Sequence, residues 1–169
     1  MQSKWYEKIE LEDYMWLSNI FNKRRKKIED SSKRYLSIND KRYDENDILG
    51  MIEIYDIFRK YQGYEKIIDL TNGDIVHDKV NSLMSELIDL GILCKNYDEF
   101  DDLYNNYKEF PIDKIGGLDI LECMVLITSI QRSDYWFGTG SNIYLGYTKN
   151  GLLPKIIYRV ISLYESRVN

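Results

Sequence analysis

Histidine and cysteine are scarce in this chain and long apolar runs are absent, and each shortage narrows what the protein can be. With one histidine, His77, any acid-base or metal chemistry centred on imidazole would have to use that residue. No nucleophile or second ligand stands at a telling spacing from it, so His77 is expected to be a boundary residue just ahead of a helix. The two cysteines, Cys94 and Cys123, lie in apolar surroundings with no CxxC or histidine-paired spacing, which predicts buried reduced thiols and no disulfide. No window reaches the roughly 18 apolar residues of a membrane helix, and the charged, aromatic-rich start lacks the apolar centre of a signal peptide. A cytoplasmic protein with no membrane partner is expected.

What the chain does hold is enough apolar material for one domain: 169 residues, 44% of them hydrophobic. A net charge of -5 disfavours a general nucleic-acid binder, yet the charge is unevenly spread. Residues 23–42 carry nine basic side chains against three acidic ones, whereas residues 98–113 carry six acids against Lys108.

Helical periodicity runs from Leu11 to Glu29 and ends in the cluster Lys23, Arg24, Arg25, Lys26 and Lys27, where cations suit the negative end of the helix dipole. A polar, turn-rich connection follows, from Asp30 to Asn46. The next helix is expected to be capped by Asn46 or Asp47, to present Ile48, Ile52, Tyr55 and Phe58 or Arg59 on one face up to Tyr61, and to end at Gly63. Asn72 and Gly73 between short Ile/Leu/Val runs predict a tight β-hairpin turn. Asp78 then caps a helix whose apolar face is Val80, Leu83, Met84, Leu87 and Ile88, with Gly91 at its C-terminal end. A short acidic helix is expected from Asp98 to Tyr107, before Pro111 and the pair Gly116 and Gly117 break the chain. Leu118 to Ile130 is apolar on nearly all sides and reads as a buried central helix. Leu152 to Tyr164 supplies the last helix, with Pro154 near its start. The fold class is therefore mainly α: a helical domain over residues 46–169 with one small β-hairpin, preceded by an N-terminal helical extension over residues 1–45.

Two motifs lack residues that their chemistry needs, and a third is limited by helix geometry. The acidic run has the length of a calcium loop, but Phe100 and Leu103 occupy positions that need an oxygen ligand and a glycine. Gly138 and Gly140 lack the Lys-Ser/Thr ending and the preceding strand of a phosphate loop. Five adjacent cations on a helix cannot share one face, so only part of the Lys23–Lys27 cluster could meet phosphates at once, with Tyr35 and Tyr43 near enough in sequence to stack on bases. No metal and no cofactor are expected.

The most unusual segment follows the apolar run, where Arg132 and Asp134 precede Tyr135, Trp136 and Phe137. A charged pair beside three aromatics implies a structured corner; its functional alternative is a concave patch in which Arg132 or Arg159 meets an anion against Trp136. This segment resembles the bacterial family called domain of unknown function six-five-zero-eight. Asp119, Thr128, Arg132 and Asp134 match that family's spacing, Trp136 stands where Phe is usual, and Tyr135 replaces a second arginine. Gly151, Leu153, Ile157, Arg159 and Val160 resemble its closing helix. The resemblance spans residues 47–165 and implies a small helical bacterial or phage protein, with no activity to carry across.

The function expected from the sequence is a non-catalytic protein-interaction module, in one form a phage or mobile-element inhibitor that docks on a host defence or regulatory complex. Asp98, Glu99, Asp101, Asp102, Tyr104 and Tyr107 would supply an acidic, aromatic surface for a protein partner. The alternatives are a nucleic-acid-associated protein using Lys23–Lys27, and a small-ligand or enzyme site around Arg132, Asp134, Trp136 and Arg159. Homodimerisation through the N-terminal helix is compatible with the same residues.

Overall fold

The apolar run beginning at Leu118 becomes a helix that other helices cover on every side. The computed structural model describes residues 36–38, 41–93, 112–137 and 142–168. Two three-residue strands, β1 (Leu36–Ile38) and β2 (Lys41–Tyr43), pair antiparallel with Leu36 opposite Tyr43 and Ile38 opposite Lys41. Among the described residues six α-helices follow: α1 (Glu45–Leu49), α2 (Ile52–Tyr61), α3 (Gly73–Asp89), α4 (Ile120–Phe137), α5 (Ile143–Lys149) and α6 (Leu152–Val168). Single 3-10 turns occupy Tyr64–Lys66 and Ile112–Gly117. Helix α6 packs on α2, α4 and α5; α5 also touches α3 and α4; and α1 lies on α4. The expected basic helix with Lys23–Lys27, the acidic helix from Asp98 to Tyr107, and Cys94 lie outside the described residues.

The centre of the molecule is α4. From Cys123 to Ile130 every residue is buried, and Arg132, Ser133 and Asp134 continue the burial past the apolar run. Full burial of each Ile, Leu, Val or Met side chain here contributes roughly 1.5–3 kcal/mol. The helix opens on a reciprocal cap in which the Glu122 amide donates to Asp119 Oδ1 at 2.8 Å and the Asp119 amide donates to Glu122 Oε1 at 3.2 Å. Hydroxyls on its buried faces are satisfied within the helix, Thr128 donating to the Met124 carbonyl, Ser129 to Val125 and Ser133 to Ser129. Cys123 is fully buried and reduced, and burial pushes its thiol up.

Two expectations about the first helices are corrected. The span from Ile48 to Tyr61 is two helices, because the chain leaves helical geometry at Met51 (φ -87°, ψ 89°), directly after Gly50, a residue of low helix propensity. Asp44 caps α1 instead of Asn46 or Asp47, accepting from the Asp47 amide at 2.8 Å while Asp47 accepts from the Asp44 amide at 2.9 Å. The break shifts the register, so Ile54 joins Ile48 and Phe58 in the core while Ile52 is 57% exposed.

The hairpin expected at Asn72 and Gly73 is not formed. Asn72 is a helix cap, its Oδ1 accepting from the amides of Asp74 at 3.1 Å and Ile75 at 3.3 Å, and α3 starts at Gly73 instead of after Asp78. Its apolar face is Val76, Val80, Leu83, Met84 and Leu87, and Gly91 follows it with φ +80°, the left-handed geometry that glycine tolerates. Helix α5 was not foreseen; Ile143–Thr148 are all buried, so the segment has no exposed face to set a periodicity.

Because Asn72 acts as a cap and not as a turn residue, Asn72→Ala is expected to cost about 1 kcal/mol and Asn72→Asp close to nothing. Urea unfolding with an unchanged slope checks both, and equal losses in the two variants would contradict the cap.

Candidate functional site

The buried polar residues gather toward the C-terminal half of α4 and the facing α5: Thr128, Ser129, Arg132, Ser133, Asp134 and Thr148. Arg132 is 0% exposed and Asp134 7%. Both still belong to the helix, so the corner expected after residue 130 is not formed at Arg132 or Asp134. The unexpected member is His77. Since α3 starts at Gly73, His77 lies inside the helix, which corrects its reading as a boundary residue. Its Nε2 stands 3.2 Å from Asp134 Oδ2, and its ring stacks on Tyr144 with centroids 5.2 Å apart and planes at 28°. One imidazole thus joins α3, α4 and α5. The helical step of three to four residues, Gly73-x-x-x-His77-x-x-Val80, was the signal that could have placed it on an inward face.

Asp134 is the electrostatically awkward group of this cluster. Burial raises its carboxyl above the ordinary value, and the hydrogen bond and charge of His77 oppose that rise without cancelling it. Its position in the last turn of α4, at the negative end of the dipole, works in the same direction as burial. Asp134 Oδ1 is buried with no hydrogen bond among the described residues. A carboxylate on imidazole could serve acid-base chemistry if a nucleophile or substrate reached it. Here the nearby hydroxyl of Ser133 is spent on the Ser129 carbonyl, and the Tyr144 hydroxyl, also raised by burial, belongs to a side chain that is 1% exposed. The arrangement is a buried electrostatic joint.

Arg159 does not join it. Its Nε donates to the Leu118 carbonyl at 2.7 Å, at the opposite end of α4 from Arg132. The fourteen residues from Leu118 to Arg132 correspond to roughly 20 Å of helix. The structure therefore brings Arg132 and Asp134 onto one helix end and separates Arg159 from both; Trp136 lies on the last turn of α4. Neither described groove is lined by Arg132 or Asp134. Among the described residues no group of three or more His, Cys, Asp and Glu side chains could hold a metal ion, and no helix is long and apolar enough to cross a membrane. The sequence candidates Asp98, Glu99, Asp101, Asp102, Tyr104 and Tyr107, with Lys23, Arg24, Arg25, Lys26 and Lys27, lie outside the described residues.

Among the described residues, two grooves lie along α6. The larger, about 640 Å³, lies between the α1–α2 junction and the end of α6, with Leu49, Ile52, Tyr55 and Tyr164 as its apolar walls and Glu165 and Arg167 on its rim. Tyr55 and Tyr164 pack at 5.7 Å, and the buried Tyr164 hydroxyl donates to the Ile48 carbonyl. Arg59 Nη1 donates to the Tyr55 hydroxyl at 2.8 Å, which donates to Glu165 Oε1 at 3.0 Å. The groove is thus lined by side chains already fixed by their own hydrogen bonds. The smaller, about 430 Å³, lies between the 3-10 turn Ile112–Gly117 and the Lys155–Ser162 face of α6.

A carboxyl held above its unfolded value of 3.8 binds its proton more readily in the folded chain, so its contribution to stability falls as pH rises from about 4 through the raised value. Asp134→Asn removes that ionisation while keeping an oxygen for His77. The variant should gain stability relative to the parent as pH rises across this window, measured by urea unfolding at several pH values; a pH-independent difference would exclude the effect. No family model matches the chain, and no curated protein or solved structure is significantly similar to it, so the function has to be read from this geometry.

Proposed function

We propose that this chain is a non-catalytic protein-interaction module that receives an apolar segment of a protein partner in the groove between the α1–α2 junction and α6. The observation that carries the reading is Ile52, a large aliphatic side chain 57% exposed on the wall of that groove. Isolated exposed apolar residues are ordinary, but this one continues into Leu49, Tyr55 and Tyr164 as a concave surface. Aromatic anchors with few free rotamers, set in a preformed concavity, resemble the centres of protein interfaces. The rim carries Glu165 and Arg167, one charge of each sign, which suits an amphipathic segment and gives no single-sign field for a nucleic acid.

The chemistry-bearing groups support the same reading from the other side. Arg132, Asp134 and Cys123 are buried, and His77 is engaged by Asp134 and Tyr144. The His77 contacts join three helices, and among the described residues these groups form no open constellation to act on a substrate.

Ile52→Glu places a charge on the groove wall without disturbing the core, and surface changes of this kind usually stay within about 0.5 kcal/mol of parent stability. A photo-crosslinking residue at position 55, installed in the parent and in the Ile52→Glu background, should give protein adducts that fall at least about tenfold in the variant, with far-UV dichroism unchanged. Equal adduct yields in the two backgrounds would overturn the proposal.

A further inference from the structure

We propose that the second groove, between the 3-10 turn Ile112–Gly117 and α6, is a binding site for a carboxylate carried on an apolar body, with Arg159 and Lys155 as the receiving cations. Arg159 and Lys155 are four residues apart on α6 and therefore share one face. Arg159 is already oriented: its Nε–H is committed to the Leu118 carbonyl at 2.7 Å, which fixes the guanidinium plane at one edge. Its two terminal nitrogens are not buried and make no hydrogen bond or ion pair among the described residues. A planar fork held by one nitrogen and open at the other two is preorganised for an external acceptor. Lys155 is exposed and equally without a described ion pair, and Ser162, one turn beyond Arg159, adds a hydroxyl with no described hydrogen bond.

The apolar half of the ligand is set by the same walls. Tyr158 is 66% exposed beside the two cations, Ile112 lines the groove from the turn, and Gly116 presents bare backbone, with open space where a side chain would stand. Two cations could also receive phosphate, but Asp113 is a third charged residue lining the same groove, and its carboxylate disfavours a dianion more than a single negative charge. A carboxylate adds one charge and matches the flat fork.

This site is separate from the Ile52 groove, and the proposal does not rest on that groove's role. The carboxylate could belong to a small acid or to the C-terminus of a polypeptide. Nitrogen-15 NMR of the full chain, titrated with 3-phenylpropionate, should show saturable shifts at Gly116, Gly117 and the Arg159 Nε–H with a Kd of about 1–10 mM. The alcohol analogue, 3-phenyl-1-propanol, should fail to produce them. A short peptide ending in Phe with a free C-terminus, binding more tightly than both its amide and phenylpropionate, would identify a polypeptide end as the source. Phenylpropionate binding more tightly than either peptide would identify a small acid. Lys155→Glu should weaken phenylpropionate binding at least about tenfold by reversing an exposed charge, and Ile52→Glu should leave it unchanged. Arg159→Lys should weaken it similarly; should that variant lose its fold, Lys155→Glu still decides. Shifts absent from these residues, equal shifts with the alcohol, or tighter binding of inorganic phosphate than of phenylpropionate would each overturn the assignment.

Discussion

A helix that is apolar around its whole circumference cannot lie at a surface, and most of this architecture follows from hiding α4. One amphipathic partner would leave most of α4 wet, so helices must approach it from several directions. Helix α6 covers one flank, α5 another, and α1 a third, with α2 and α3 joined to this layer through α6 and α5. The polar groups that α4 carries inward are those that can be satisfied without leaving it: hydroxyls return to carbonyls one turn back. The charged groups Arg132 and Asp134 do not follow this pattern, and Asp134 is met from outside by His77.

The same requirement sorts the charged residues by location. Arg159 anchors the start of α4 by holding the Leu118 carbonyl, and Asp134 engages α3 near its end, so charge holds the two ends while apolar contact fills the middle. A similar economy governs Tyr64, buried against Thr148. The threonine proton goes to the Tyr144 carbonyl, so Tyr64 is the donor to Thr148 Oγ1, and burial holds its hydroxyl protonated. Groups of these kinds suggest catalysis when seen in a sequence. In the folded chain each has a neighbour that accounts for it, which leaves the shape of the α6 surface as the main functional clue.

How legible the fold was depended on whether a signal was local. The apolar run of α4, the spacing Val80-Leu83-Met84-Leu87, Gly91 and Pro154 each act within one element, and each pointed to the element present. Asn72-Gly73 misled because asparagine serves a hairpin turn and a helix cap equally well, and the choice lay with Val76 and Val80, which needed a helix to reach the core. Ile52 misled because four-residue spacing to Ile48 implies a shared face only in an unbroken helix, and the break at Met51 is marked in the sequence only by the single Gly50 before it. Helix α5 was invisible because it is buried all round and short. The sequence singled out Arg132 and Asp134 near the end of the buried helix, but it could show neither the distance to Arg159 nor the approach of His77, which lies 57 residues from Asp134. Long-range meetings of this kind are decided by tertiary packing.

The contact between Tyr164 and the Ile48 carbonyl joins residues 116 apart in the chain and closes the floor of the larger groove. Bringing two such distant points together carries a loop-closure entropy cost that the contact must offset. The groove is complete only when α6 has joined α1 and α2. During synthesis, α1 and α2 leave the ribosome with Leu49, Ile52 and Tyr55 facing water and no opposite wall, and the surface acquires its shape only when α6 arrives. A partner that recognises this concavity would distinguish finished chains from nascent ones.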